Sequence, residues 1–147
     1  MSRQAVDVNR RAITAIAALL ALAGCAAEAP TPSEPQIFFP RHASPAGTGD
    51  AALLEGRVGF ADGCLFVEVA DGSRYLVLWP SDTTLGRINS LPAVMGPPDY
   101  PVEIGENLRL GGSEADRATA EELVGPIPER CALDGYWAVS TVDHSPL

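Results

Sequence analysis

The chain contains 147 residues, and its 10 basic and 19 acidic residues give a formal net charge of −9. Loss of residues 1–24, which hold three arginines and one aspartate, would leave 7 − 18 = −11. Such a charge opposes binding to nucleic acid, whose phosphates are recognised by clusters of Lys and Arg, and it opposes a polybasic patch for anionic lipid. We therefore expect no nucleic-acid partner.

The N-terminal segment has the parts of a secretory signal. Three arginines make a charged region, residues 12–22 form an apolar run, and Ala23-Gly24 supplies the small residues that a signal peptidase needs. A membrane-spanning helix needs about 20 apolar residues. The run is little more than half that length, so it predicts a signal that is removed rather than a permanent transmembrane helix.

The signal ends in Leu22-Ala23-Gly24-Cys25, which resembles the lipobox of bacterial lipoproteins. The resemblance implies that residues 1–24 are a signal peptide and that Cys25 carries a diacylglycerol thioether, with a further acyl chain such as palmitate on its amine. Two or more acyl chains hold a protein stably at a membrane. We therefore predict lipidation at Cys25 and a place on the extracytoplasmic face of the cell membrane. An ordinary secretory signal that ends by chance in a cysteine is the alternative.

Residues 25–50 are predicted to be the lipidated cysteine and a tether, because five prolines interrupt any helix or central strand there. Ile37-Phe38-Phe39 is the apolar exception. We expect these three residues to dock on the domain or dip toward the lipid, and a partner-binding motif is the alternative.

The folded domain is predicted over residues 51–143, with 144–147 as a C-terminal tail. Alternating apolar and polar residues predict strands at 54–60, 64–70 and 74–79. Asp-Gly turns at 62–63 and 71–72 join these strands into a meander, and the third strand is apolar on both faces, which is typical of a central strand.

The remaining elements are predicted from shorter signals. Residues 81–101 contain four prolines and predict a long loop with room for one helical turn. Residues 102–110 predict one bent strand or two short ones that end at Gly111-Gly112. Ser113 and Asp116 match a capping box, which predicts a short helix that ends at Gly125-Pro126. A third Asp-Gly pair precedes the last strand, 136–142.

Five or six short antiparallel strands in about 90 residues predict a small closed barrel, since closure hides the sheet edges. The strand count, the long loop and the glycine-rich stretch 105–112 resemble the OB-fold. Residues 52–143 also resemble uncharacterised small secreted bacterial lipoproteins, on Gly63-Cys64, Trp79-Pro80 and 127–131. The helix departs from the OB pattern, in which it lies between the third and fourth strands, so a two-sheet β-sandwich is the alternative.

Cys64 and Cys131 form an even pair once Cys25 carries lipid. In an exported chain such a pair predicts a disulfide. A redox pair is the alternative, but it lacks the C-x-x-C spacing that lowers a thiol pKa.

No pattern of residues predicts a catalytic centre. His42 lies in the tether and His144 in the tail, where neither is placed to activate a serine or to bind a metal. We predict no catalytic residue, no metal site and no cofactor. Tyr75, Trp79, Tyr136 and Trp137 could form a sugar-stacking surface, but aromatic residues on strands more often pack in a core, and that interpretation is favoured.

The sequence therefore predicts a lipid-anchored, non-enzymatic β domain with a binding or structural role. Besides the membrane, the expected partner is an envelope protein or a saccharide, and a monomer is expected. One alternative is a small carboxylate-dependent envelope hydrolase, because the pairing of carboxylates is spatial and not visible in sequence. The other is a barrel that carries a ligand.

Overall fold

The computed structural model describes residues 36–47, 52–97 and 100–144. The predicted signal peptide, Cys25 and the first part of the predicted tether lie outside these residues. The described residues belong to one compact unit. Within them, no helix is both long enough and apolar enough to cross a membrane.

Eight strands, one α-helix and one turn of 3₁₀ helix make up the described part of the chain. In chain order they are β1 (Ala52–Ala61), β2 (Cys64–Glu68), β3 (Arg74–Leu78), β4 (Thr84–Ile88), β5 (Leu91–Met95), β6 (Val102–Glu103), β7 (Asn107–Ala115), α1 (Arg117–Val124), the 3₁₀ turn (Glu129–Cys131) and β8 (Gly135–Asp143).

Five of the strands pair in a ring, in the order β1-β2-β3-β8-β7, and β7 pairs back with β1. The predicted OB-like barrel with one short helix is confirmed. The prediction that all its strands are antiparallel is wrong for one pair, because β3 and β8 run parallel. A ring with an odd number of strands cannot alternate in direction all the way round, so at least one pair must be parallel.

The first three barrel strands lie close to their predicted positions. Asp62 and Gly63 form the turn between β1 and β2, and both have positive φ, at 51° and 78°. A two-residue turn of this kind matches the twist of the strands that it joins. The central place of β3 is confirmed, because β3 lies between β2 and β8 and its last three residues are buried.

Most of the predicted long loop is instead a second sheet, with the order β4-β5-β6. Asn89 and Ser90 form a two-residue turn with positive φ, which makes β4 and β5 a hairpin. Pro92 does not break this sheet. It stands opposite Arg87 at a position whose backbone groups face away from β4, and β6 reaches only as far as Ala93 and Val94. Pro92 lacks a backbone N–H, and no interstrand hydrogen bond is lost because of this, since neither β4 nor β6 pairs with it through that group.

The second sheet packs its inner side into the barrel. Val94 and Val102 are buried in the same hydrophobic cluster as the barrel residues Val58, Trp79 and Leu108. The sheet connects the third and fourth barrel strands, which is the place of the helix in the OB pattern. It therefore supplies the apolar packing that the helix would otherwise supply there.

A second cluster lies on the outer side of β3 and β8, since alternate residues of a strand face opposite sides of the sheet. Helix α1 and the segment after it pack against this side. The buried members are Cys64, Leu76, Leu78, Ala120, Ile127, Cys131 and Tyr136. The predicted disulfide is confirmed, with Cys64 and Cys131 bridged at a Cα–Cα distance of 5.7 Å.

The start of α1 differs from the prediction. Strand β7 does not end at Gly111-Gly112 but shifts register there and continues to Ala115. Ser113 is therefore in the strand, and the helix cap is Asp116, whose Oδ1 accepts from the Thr119 backbone N–H at 2.8 Å. The predicted helix end is confirmed, because Gly125 follows the last helical residue with a φ of 82°.

Residues 36–47, which we call the N-terminal strap, lie against the barrel. Phe38 pairs with Cys64, and Arg41 pairs with Trp79. The carbonyl oxygen of Pro40 accepts from the Trp79 backbone N–H at 2.9 Å, so this proline serves only as an acceptor and needs no N–H. This part of the predicted tether therefore pairs with the barrel.

Three side chains hold the strap in place. The Phe39 ring stacks on the Trp79 ring with centroids 6.3 Å apart. The buried His42 ring brings its Nε2 to 2.8 Å from the Val139 carbonyl oxygen. Arg41 donates through Nη1 to the backbone oxygens of Ser81 and Thr83. The expectation that Phe38 and Phe39 dock on the domain is met.

Reduction of the disulfide should destabilise the domain. The cysteines are 67 residues apart in sequence, and constraining a loop of this length in the unfolded chain is worth about 4 kcal/mol. Urea unfolding with and without reductant measures the loss. The double variant Cys64→Ala/Cys131→Ala is the control, since it should be insensitive to reductant. A loss below about 1 kcal/mol would show that the bridge contributes little.

Removal of the strap should also destabilise the barrel. We expect residues 48–147 to unfold at lower urea concentration than residues 36–147, because the fragment exposes Trp79 and leaves the Val139 carbonyl without His42. In the longer chain, Phe39→Ala should cost about 2 kcal/mol, less than a fully buried Phe because its ring is only partly buried. Ser44→Ala, at an exposed side chain of the strap, is the matched control. Equal stability of the two fragments would mean that the strap only rests on the barrel.

Candidate functional site

The four aromatic residues considered as a ligand surface do not form one. Trp79 is 0% exposed, and Tyr136 and Trp137 are each 5% exposed. Trp79 and Trp137 belong to the barrel core, whereas Tyr136 belongs to the cluster on the outer side of the sheet. Tyr75 alone is partly exposed. These residues pack in the two cores, and three of them cannot stack on a sugar without unfolding the protein.

Fluorescence can check this burial, because Trp79 and Trp137 are the two tryptophans of the chain. We expect blue-shifted emission and little quenching by iodide in the folded protein. The same protein in denaturant is the control, since both indoles should then be quenched. Quenching of the folded protein to the same degree would place at least one indole at the surface.

A cleft with several charged residues lies where β7, α1 and β8 meet. It has a volume of about 510 Å³ and is lined by Glu114, Ala115, Asp116, Arg117, Asp134, Gly135 and Tyr136. Three carboxylates around one cleft make it the place where the hydrolase alternative has to be tested.

Two of these three carboxylates accept hydrogen bonds from backbone N–H groups. Asp116 caps α1, and Asp134 accepts through Oδ2 from the Arg74 backbone N–H at 2.8 Å. The Thr119 N–H holds the pKa of Asp116 below its usual value. A carboxyl group with a lowered pKa is ionised at neutral pH and cannot act as a general acid. Asp116 therefore does not supply a general acid in this cleft.

The one arginine of the cleft is engaged in a structural network. Arg117 donates to Glu121 and to Glu129 at 3.0 Å, and to the Ile127 carbonyl oxygen at 3.2 Å. The bonds to Glu121 and Glu129 raise the pKa of Arg117, and the bond from Arg117 lowers the pKa of Glu121. The network ties α1 to the segment that carries Cys131.

The described residues contain no group of three or more His, Cys, Asp or Glu side chains arranged to bind a metal ion. The two histidines have other surroundings. His42 is buried in the strap, and Nδ1 of His144 lies beside Glu106. The sequence placed His42 in a tether, and no local pattern of residues indicates its burial.

Hairpin β4–β5 exposes a group of apolar side chains that the sequence interpretation missed. Leu85, Leu91 and Met95 are exposed large hydrophobic residues of this hairpin. The signal in the sequence was the pair Asn89-Ser90 between two short apolar runs, since Asn is common in two-residue turns. The prolines at 92, 97 and 98 outweighed that signal.

Comparison with protein-family models, with curated proteins and with solved structures finds no match for this chain. The description of the fold as OB-like therefore depends on its own strand pairing. The function is inferred from the sequence and from the geometry described above.

Proposed function

We propose that this is a lipid-anchored protein of the cell envelope whose OB-like domain has a binding or structural role and no enzymatic activity. The observation that carries the proposal is the lipobox Leu22-Ala23-Gly24-Cys25, placed a short distance before a segment that docks on the domain. The disulfide between Cys64 and Cys131 supports a location outside the reducing cytoplasm.

The docked strap shortens the connection between lipid and domain. Only residues 26–35 separate Cys25 from the strap, and ten residues span at most about 36 Å when fully extended. A domain of about 100 residues has a radius of gyration of about 13 Å. The domain is thus held within roughly its own diameter of the bilayer. This short connection supports a role at the membrane surface.

A non-enzymatic role is supported by what the charged and aromatic residues do. In the acidic cleft, Asp116 and Asp134 bond to backbone N–H groups, which is a structural task. In the barrel, Trp79 and Trp137 pack in the hydrophobic core, where the ligand-carrying alternative would need them to face a chamber. The partner we propose is an envelope protein or a saccharide that contacts the outer surface of a monomer.

The anchor can be tested in cells. In cells fed a radioactive fatty acid, the wild-type protein should carry label and fractionate with membranes. Cys25→Ser should carry no label, because it lacks the sulfur of the thioether. Ala26→Ser, which keeps Cys25, is the matched control and should be labelled. Equal label in wild type and Cys25→Ser would contradict the proposal.

A further inference from the structure

A second cleft lies between the N-terminal strap and the end of α1, and we call it the strap–helix cleft. Its volume is about 460 Å³. Binding sites for small molecules are concave, occupy about 300–1,000 Å³ and combine apolar walls with a few polar groups. The strap–helix cleft has a volume in this range, and its walls come from two parts of the chain that are far apart in sequence.

One part of the lining is apolar. Leu123 and Val124 come from the last turn of α1, and Phe38 and Phe39 come from the strap. Leu123 is a large hydrophobic residue and is 45% exposed, whereas the two phenylalanines are partly buried. A ligand with an apolar body would cover Leu123 and remove apolar surface from water.

Arg41 supplies a cationic group to the lining, and the barrel fixes its position. Its Nη1 donates to the carbonyl oxygens of Ser81 and Thr83, at 3.3 and 3.1 Å. The next residue, His42, holds the strap against the Val139 carbonyl oxygen. The guanidinium group is therefore oriented by bonds that use only one of its three nitrogens.

The remaining edge of the guanidinium distinguishes Arg41 from other arginines of the domain. Nε and Nη2 of an arginine present two parallel N–H groups, which match the two oxygens of a carboxylate. In Arg130 both of these atoms donate to carbonyl oxygens, and in Arg57 Nε does so. The Nε atoms of three further arginines contact glutamates. Among the residues that the structure describes, none accepts from Nε or Nη2 of Arg41.

The carboxylates near the strap–helix cleft are directed elsewhere. Among the described residues, the lining contains no Asp or Glu. Asp82 accepts from the Ala46 backbone N–H at 3.0 Å, and Glu121 accepts from an arginine of its own helix. Glu122 follows the buried Ala120 by two residues, about 200° around the helix, so it lies on the side of α1 that faces away from the barrel. The charge of Arg41 is therefore not neutralised by these groups.

The end of α1 determines which way round a ligand fits. The last carbonyl groups of a helix carry partial negative charge, which repels an anionic group and tolerates an apolar one. An anion therefore belongs at Arg41, and an apolar body belongs against Leu123 and Val124. The Ser81 hydroxyl, which makes no hydrogen bond to a described residue, can donate to the same anion. One cation balances one negative charge, so a carboxylate fits better than a phosphate monoester, whose charge is about −1.5 to −2.

We propose that the strap–helix cleft binds a small monocarboxylate with an apolar body, of the class of fatty acids or aryl-alkanoic acids. The carboxylate lies on Nε and Nη2 of Arg41, and the body covers Leu123. Because such a ligand contacts both the strap and α1, its binding also stabilises the docked strap. The acyl chains proposed on Cys25 are held in ester and amide bonds, so they have no free carboxylate and are not this ligand. The inference goes beyond the proposed function and does not depend on the anchor.

The test follows backbone amide NMR signals during titration with ligand. The protein is the mature chain, residues 25–147, with Cys25→Ser, so that its only cysteines are the bridged pair. The probes are octanoate and phenylbutyrate, which have an aliphatic and an aromatic body. Octanol and phenylbutanol are the uncharged controls. All four compounds are used below the concentrations at which they aggregate.

We expect at least one of the two acids to shift the amide signals of Arg41, Ser81 and Leu123. That acid should bind at least about fivefold more tightly than its alcohol, because the alcohol cannot accept two charge-assisted hydrogen bonds. The acid that binds more tightly identifies the body that the cleft accepts. Equal binding of acid and alcohol, shifts confined to other parts of the barrel, or no binding of either acid would overturn the proposal.

Two pairs of variants separate the charge from the apolar wall. Arg41→Gln should weaken binding of the acid at least about fivefold and leave the alcohol unchanged. Arg57→Gln is the matched control, since it removes the same charge from another exposed arginine that donates to a carbonyl oxygen, and it should bind like the parent. Leu123→Ser should weaken binding of both acid and alcohol, whereas Leu53→Ser, at an exposed leucine of β1, should weaken neither.

Equal weakening by Arg41→Gln and Arg57→Gln would overturn the proposal, because net charge alone would then explain the binding. The amide signals of Trp79 and Val139 report in the same spectra whether the strap stays docked in each variant. The comparison of acid with alcohol needs no variant, so it decides the proposal even if Arg41→Gln releases the strap. Neither measurement involves lipidation, so failure here would leave the proposed anchor standing, and failure of fatty-acid labelling would leave this site standing.

Discussion

An odd number of strands in a ring forces at least one pair to be parallel, and in this protein that pair is β3 and β8. A parallel pair of this kind is covered on both faces. Val77 and Trp137 fill the inner face, and Leu76 and Tyr136 lie under α1 on the outer one. The aromatic residues of β8 are therefore used for packing. The disulfide secures this cover, because it ties the segment after α1 back to the start of β2.

The barrel core is completed by two parts of the chain that are not barrel strands. The small sheet contributes Val94 and Val102, and the strap contributes Phe39, which stacks on Trp79. Trp79 in turn meets the Tyr100 ring edge to face, with centroids 6.4 Å apart. One indole thus links the strap, the third barrel strand and the segment before β6. The strap therefore contacts the barrel core directly through Phe39.

This connection gives the proposed anchor a consequence for orientation. A long tether would let the domain turn freely above a membrane, whereas about ten residues and a docked strap restrict it. In the proposed anchored state, the short connection therefore limits the orientations that the domain can adopt.

The sequence by itself determined the features that depend on a few neighbouring residues or on a count. These are the first hairpin at Asp62-Gly63, the end of α1 at Gly125, and the pairing of Cys64 with Cys131, the two cysteines left after Cys25. Only the tertiary structure decided that the strap packs on Trp79, that Pro92 is tolerated where β6 is short, and that β7 runs past Ser113 and moves the cap to Asp116. Proline residues and capping residues indicate which conformations and hydrogen bonds are possible for the local backbone. Whether the backbone adopts such a conformation depends on the hydrogen-bonding groups that a strand distant in sequence brings next to it. No local sequence pattern contains that information.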